Sequence, residues 1–240
     1  MSRRAWITLA VVIVAGGFAA RFGMTFPWAR TMDALSDADW VLLAGAGLIN
    51  ILSLMAKASA WHLLLRRLTP IRAMTAQVAT FIGAAVNSIS ISVSGEAARA
   101  QAAGSRDGVP FGLAAASLVA SRVVETLGLV VFLAVALIVL PLWPGARSTG
   151  LILVGVAVAV TAGYYLLPRR RWHPALVRLA ATGPWGLAAP VALVTLNWLL
   201  QWLTYHWSFV ATGAAVTPGV SLAALVMANI AGILRLTPGN

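Results

Sequence analysis

The chain has no cysteine and few charged residues, and these shortages exclude several kinds of site. Without cysteine, the 240 residues cannot form disulfides, thiolate metal sites or cysteine nucleophiles. Only six residues are acidic and three are histidines, and no histidine has a partner at metal-ligand spacing. The sequence contains no phosphate-binding P-loop either. We therefore expect no metal, no cofactor, no ATP-driven step and no catalytic residue.

Apolar residues dominate the composition of the chain. They make up 60% of the chain, charged residues make up 10%, and the mean hydropathy is +0.90. A soluble domain of this size would expose too much apolar surface to stay dissolved, so the composition predicts a multi-pass membrane protein. The net charge of +11 comes mainly from short clusters between apolar runs. That distribution is typical of topology determinants and argues against nucleic-acid binding.

A membrane-crossing helix needs about 20 mainly apolar residues, and the chain contains several such runs. The predicted spans are residues 5–22, 40–65, 111–140, 151–167, 185–211 and 220–236, with a re-entrant element over residues 74–103. The predicted fold class is therefore all-α. We interpret residues 1–240 as a single transmembrane domain, a polytopic helix bundle with one or two re-entrant (broken) helices.

Two basic clusters favour the re-entrant interpretation. They are "RRLTPIR" at 66–72 and "PRRRWHPALVR" at 168–178. If the N-terminus is cytoplasmic and segment 74–103 crosses fully, the second cluster lies outside, against the positive-inside rule. If that segment enters and returns, both clusters are cytoplasmic. We therefore predict a protein of the cell membrane with a cytoplasmic N-terminus; the alternative is an ordinary span followed by a polar loop.

The stretch "NSISISVSGEAARA" at 87–100 carries the predicted break. Before it, an Ala-rich helix of about 12 residues reaches roughly 18 Å, too short to cross. Serines then alternate with β-branched residues, a pattern that does not favour helix. Ser94 is a candidate cap, and Glu96 is in the first turn of a returning helix. Non-helical backbone at membrane depth must be buried in protein or face water, so we expect this stretch to be interior.

Ionisable side chains lie inside the predicted membrane segments. Glu96 and Arg99 are three residues apart, as are Arg122 and Glu125, so each pair shares a helix face. Each such group costs at least about 2.5 to 3.5 kcal/mol on insertion scales, so these groups must pair or face water. One hypothesis is a purely structural four-membered network; the other adds an anionic ligand, such as a lipid phosphate, at the arginines. Lys57 either snorkels to the interface or points inward.

Segment 185–211 carries a polar stripe at steps of three and four residues. Its members are Asn197, Gln201, Thr204, Tyr205 and Ser208. Such a stripe indicates either interhelical hydrogen bonds or the lining of a cavity. The last segment again ends in a break, at Pro238 and Gly239. Two broken segments that enter from opposite sides are typical of inverted-repeat transporters.

Three motifs in this order are similar to those of one membrane family. They are N-(x)7-G-E-x-x-R over 87–99, S-R-x-x-E over 121–125 and P-G at 238–239. From Met74 onward the sequence resembles the transmembrane flippase-like family related to lysylphosphatidylglycerol synthases. The resemblance implies a polytopic protein that handles or translocates charged or glycosylated lipids. It implies a headgroup site that uses Asn87, Glu96, Arg99, Arg122 and Glu125.

The sequence departs from this family pattern in three places. Ser92, Val93 and Ser94 replace the usual proline or basic residue before the Gly-Glu pair. The last motif normally continues into further helices, whereas this sequence stops at Asn240, so we expect a chain incomplete at its C-terminus. The synthases' soluble aminoacyl-transferase domain has no counterpart, so lysine transfer is not expected.

The leading functional hypothesis is that the protein binds and flips a charged or glycosylated lipid. The lipid would pass through a polar cavity between the re-entrant element and segments 111–140 and 185–211. The expected partner is a membrane lipid with a phospholipid or polyprenyl-linked headgroup. The alternatives are a membrane-embedded transferase with Glu96 or Glu125 as the base, and a membrane scaffold. The candidate binding residues are Asn87, Ser94, Glu96, Arg99, Arg122, Glu125, Asn197, Gln201, Tyr205, Pro238 and Gly239.

Overall fold

The computed structural model describes residues 23–89, 94–140, 145–152 and 183–234, together with positions 17, 21, 154, 155, 159 and 178. Regular structure in this part of the chain is helical, without a strand. The helices are α1 (Trp28–Ser36), α2 (Trp40–Leu65), α3 (Ala73–Ile89), α4 (Ser94–Asp107), α5 (Phe111–Val139), α6 (Gly183–Ala211) and α7 (Pro218–Leu234). Residues 146–152 are also helical. The all-α prediction is confirmed.

Three of the described helices are long and apolar enough to cross a membrane. They are α2, α5 and the Trp185–Ala211 part of α6, with 26, 29 and 27 residues. At 1.5 Å per residue they measure roughly 39 to 44 Å, more than the ~30 Å of a hydrocarbon core. Their ends lie within one residue of the predicted spans 40–65, 111–140 and 185–211. The predicted spans 5–22 and 151–167 lie largely outside the described residues.

The antiparallel pair α2 and α6 is the centre of the bundle. Asp39 caps α2 by accepting hydrogen bonds from the backbone N–H groups of Val41 and Leu42, at 2.9 and 3.1 Å. Its own backbone N–H donates to the carbonyl of Ala211 at 2.8 Å. Beyond the opposite end of α2, Arg67 Nη2 donates to the carbonyl of Gly186 at 2.6 Å. These contacts place the start of α2 beside the end of α6 and the end of α2 beside the start of α6.

Helices α3 and α4 form a hairpin, the α3–α4 hairpin, whose outer ends are joined by an ion pair. Arg72, just before α3, donates from Nε and Nη2 to Asp107 Oδ1 at 2.8 and 2.6 Å, and from its backbone N–H to Oδ2 at 2.8 Å. Asp107 ends α4, and α5 begins four residues later. The ends of α2 and α4 and the start of α5 therefore lie together, so α5 runs parallel to α6.

The observed hairpin differs in its bounds from the predicted element 74–103. The sequence suggested that helix ends near Asn87, yet α3 continues to Ile89, and the Ser88 hydroxyl donates to the carbonyl of Ala84 one turn back at 3.0 Å. Glu96 lies in the first turn of α4, as predicted, and α4 extends to Asp107. Positions 90–93, which carry the rest of the predicted break, lie outside the described residues.

Small residues let the two arms of the hairpin approach closely. A Cβ atom on Gly83 would lie 2.8 Å from the carbonyl oxygen of Gly95 and 3.3 Å from Arg99 Cβ. Ala76, Ala79 and other alanines on both arms are fully buried against α2. Close backbone approach through small residues is the usual way in which membrane helices gain packing energy. The hairpin is thus held tightly beside α2.

Candidate functional site

A cavity of about 100 Å³ lies where the α3–α4 hairpin meets α2 and α5. We call it the charged cavity. The described residues that line it are Leu54, Lys57, Thr80, Gly83, Ala84, Asn87, Gly95, Glu96, Arg99 and Arg122. Three cationic side chains and one carboxylate therefore share a small space inside the helix bundle.

Arg122 joins two acids that are far apart in the sequence. Its Nη2 pairs with Glu96 Oε1 on α4, and its Nη1 lies 2.9 Å from Glu125 Oε2 on its own helix. Lys57 Nζ on α2 approaches the same Glu125 oxygen at 3.3 Å, and the Ser121 hydroxyl donates to the other at 3.1 Å. The structure thus brings Glu96, Arg122 and Glu125 together, and adds Lys57.

Arg99 does not take part in this ion-pair chain, in contrast to the predicted four-membered network. Glu96 is three residues away on the same helix, but its carboxylate turns to Arg122. The Arg99 side chain is buried, with 6% of the residue exposed. Among the described residues, its Nε and Nη2 atoms have no hydrogen-bond partner. Leaving buried donors of a charged group unsatisfied is costly, so this guanidinium is a ready donor for an anion in the cavity it lines.

Trp61 contacts the guanidinium of Arg99. The guanidinium carbon of Arg99 lies 4.1 Å from the ring centroid of Trp61, a cation–π distance. The indole is fully buried, and its N–H donates to Ser117 Oγ on α5 at 2.9 Å. Sequence reasoning missed Trp61. The sequence did contain a signal for this residue, because Trp61 follows Lys57 by four residues and both side chains therefore lie on one face of α2.

Asn87 closes the gap between the two arms of the hairpin. Its Oδ1 accepts a hydrogen bond from the backbone N–H of Gly95 at 3.1 Å, in the first turn of α4. The Asn87 side chain occupies the space where a Cβ of residue 95 would be, so glycine is required there. Ser94 is the half-buried first residue of α4. Asn87 therefore has a structural role at the rim of the cavity.

The polar stripe of α6 lies at the α2–α6 interface, which corrects the prediction that α6 walls the cavity. Asn197 is buried and accepts hydrogen bonds from Ser53 Oγ at 2.9 Å and from Gln201 Nε2 at 3.4 Å. Tyr205 packs against the apolar core. Because α6 packs along α2, the wall of the cavity comes from α2 instead. Pro238 and Gly239 lie outside the described residues.

Three helices long and apolar enough to span a membrane, packed around a cluster of paired charges, define a multi-pass membrane protein. A comparison with protein families gives the same class. The model of the lysylphosphatidylglycerol synthase TM region matches residues 6–240, and the chain belongs to that family. Neither the curated proteins nor the solved structures gave a match. Family membership supports a lipid-related function in the membrane.

Proposed function

We propose that the protein binds a lipid by an anionic headgroup in the charged cavity and translocates it across the cell membrane. The observation that supports this most directly is Arg99, a buried guanidinium with unsatisfied donors among the described residues at the wall of a polar cavity. Arginine presents a planar fork that matches phosphate oxygens in a bidentate manner. Trp61 already holds that fork in place, so little side-chain entropy is lost on binding.

Charge and size both favour a phosphate group as the occupant. Lys57, Arg99 and Arg122 are positive, and Glu96 and Glu125 are negative, which leaves one excess positive charge. The volume of about 100 Å³ equals roughly three water molecules at ~30 Å³ each. This space suits a phosphate group, while a larger headgroup must extend through the opening of the cavity.

The α3–α4 hairpin enters and leaves the membrane on the same side. With 17 and 14 residues, its arms measure roughly 26 and 21 Å, less than the ~30 Å needed to cross. The ion pair between Arg72 and Asp107 holds both outer ends at one membrane surface. Arg66 and Arg67 lie at the same end of the bundle, which favours a cytoplasmic location for this surface. One membrane crossing by the predicted span 5–22 would then place the N-terminus on that side as well.

The protein moves lipid without covalent chemistry of its own. The carboxylate oxygens of Glu125 are held by Arg122, Lys57 and Ser121, and Glu96 is held by Arg122, so neither acid is free to act as a general base. The absence of a P-loop from the 240 residues leaves downhill movement or an ion gradient as the energy source.

Native mass spectrometry of the purified protein tests headgroup binding. Wild type, Arg99→Met and the control Arg106→Met are compared for bound phospholipid; Arg106 is an exposed arginine near the end of the same helix. We expect wild type and Arg106→Met to retain lipid, and Arg99→Met to lose it. Arg99→Lys keeps the charge without the fork and should retain an intermediate amount. Equal lipid retention by all four proteins would contradict the proposal.

A further inference from the structure

A second cavity of about 400 Å³ opens between α5 and α6, and we call it the apolar groove. Its accessible wall is entirely apolar. Residues that form it include Phe132, Val135 and Val139 of α5 and Leu196, Leu199 and Trp202 of α6. Its volume falls within the roughly 300 to 1,000 Å³ of small-molecule sites. It is large enough for a ligand, and its chemistry suits hydrocarbon.

The apolar groove and the ion-pair cluster lie on the same stripe of α5. Arg122 of the charged cavity, the half-buried Leu129 and Ala136 of the apolar groove follow one another at steps of seven residues, which is the spacing of a single helix face. Phe132 follows Arg122 by ten residues, or roughly 15 Å along the axis. A ligand with a charged end at Arg122 and an extended apolar part therefore reaches the groove along one helix.

The described neighbours leave this face of α5 open. Val135 and Val139 are 52% and 66% exposed. Helical residues 146–152 pack elsewhere on α5, because a Cβ on Gly150 would lie 2.8 Å from the carbonyl of Ala134 and 2.9 Å from Ile138 Cγ1. Because α5 and α6 are both long and apolar enough to cross a membrane, a face that the described residues leave open would meet the hydrocarbon of the bilayer.

The direction of α5 sets the orientation of such a ligand. The helix begins at the end where Arg72 and Asp107 close the hairpin, and the groove lies beyond the charged cavity toward its C-terminal end. A lipid of the leaflet at the hairpin base has its headgroup at that surface and its chains pointing toward the centre of the bilayer. Those chains then point from the charged cavity toward the apolar groove.

We infer that the apolar groove holds one hydrocarbon chain of the same lipid whose anionic headgroup occupies the charged cavity. This inference rests on the proposed function and adds a second subsite to it. The ligand class is an amphiphile with a phosphate end and at least one long chain. Affinity then depends on chain length as well as on the headgroup.

Groove-filling variants test this inference. Binding of phosphatidic acid with two 16-carbon chains and with two 6-carbon chains is measured by native mass-spectrometry titration. Val135→Trp and Val139→Trp each place an indole in the groove. The control Val41→Trp puts the same side chain on an exposed position of α2 that lines neither cavity.

The expected result is a loss that depends on chain length. Removing one or two buried methylene contacts lowers affinity by about 4- to 15-fold for the long-chain lipid. Binding of the short-chain lipid stays at the wild-type level, and Val41→Trp changes the binding of neither lipid. Equal affinity of the groove variants and wild type for the long-chain lipid, or an equal loss for both lipids, would overturn the inference. In that case, if Arg99→Met binds neither the long-chain nor the short-chain lipid, the headgroup site is still supported. If wild type itself binds neither lipid, both proposals are refuted.

Discussion

The guanidinium carbon of Arg99 lies over the indole of Trp61, 4.1 Å from the ring centroid, while its acidic neighbour on the same helix, Glu96, pairs with Arg122. The buried Nε and Nη2 atoms of Arg99 have no hydrogen-bond partner among the described residues. In the interior of a membrane protein, such donors attract an anion strongly.

Replacing Trp61 should weaken anion binding through Arg99. Trp61→Phe keeps an aromatic face and loses the hydrogen bond to Ser117, whereas Trp61→Leu loses both. A cation–π contact contributes about 0.5 to 2 kcal/mol, so Trp61→Leu should lower the affinity for phosphatidic acid by roughly 2- to 30-fold, and Trp61→Phe by less. Native mass-spectrometry titration measures this. Trp185→Leu, at a residue that is 89% exposed, serves as the control, and an equal effect of all three substitutions would contradict the role of the stack.

Gly83→Ala should separate the two arms of the hairpin. The new Cβ would meet the carbonyl oxygen of Gly95 at 2.8 Å, and backbone cannot move aside cheaply. We expect a loss of about 1 to 3 kcal/mol in the free energy of unfolding, as for overpacking elsewhere. Thermal unfolding in detergent measures it. Gly47→Ala is the matched control because a Cβ there meets nothing within 4 Å; a similar destabilisation by both variants would refute the close approach.

The ion pair at the hairpin base should make stability depend on pH only under acidic conditions. Hydrogen bonds from the Arg72 side chain and backbone hold the pKa of Asp107 below its usual range. A carboxyl whose pKa is lowered by folding contributes stability above its unfolded pKa of about 3.9, and this contribution is lost as the pH falls through the folded value. Asp107→Asn should therefore be less stable than wild type at pH 7, and the difference should shrink below about pH 4. A difference in melting temperature that stays constant from pH 7 to pH 3 would contradict this.

Lys57 and Glu125 should be energetically coupled. Their ion pair of 3.3 Å is mostly buried, so removal of one partner leaves the other charge poorly compensated. Lys57→Met and Glu125→Gln together should cost less than the sum of the single variants, with a coupling of about 0.5 to 3 kcal/mol in a double-mutant cycle. Chemical unfolding in mild detergent supplies the free energies. Strict additivity would show that the pair contributes no interaction energy.

The sequence predicted the all-α fold and the bounds of the three long helices α2, α5 and α6, because each is one apolar run of membrane-spanning length. It also predicted that Glu96, Arg122 and Glu125 meet, since charges inside a membrane must find each other. It did not predict that Lys57 would take the place of Arg99 in the ion-pair chain. Spacing along a helix shows which face a side chain is on, whereas the choice of partner depends on the neighbouring helix. The polar stripe of α6 was one candidate for the cavity wall, but it packs against α2. Its spacing gave the helix face and not the helix that this face contacts.

Lipid movement in reconstituted vesicles tests the central claim most directly. Proteoliposomes that contain a fluorescent phosphatidic acid are treated with a membrane-impermeant reductant, which destroys the fluorophore on the outer leaflet only. With wild type or Arg106→Met, lipid flipped from the inner to the outer leaflet should become accessible to the reductant, so its fluorescence should also be lost. With Arg99→Met, about half of the fluorescence should stay protected, as in protein-free vesicles. Protection by wild type equal to that of protein-free vesicles, or equal loss of fluorescence with wild type and Arg99→Met, would contradict translocation through the charged cavity.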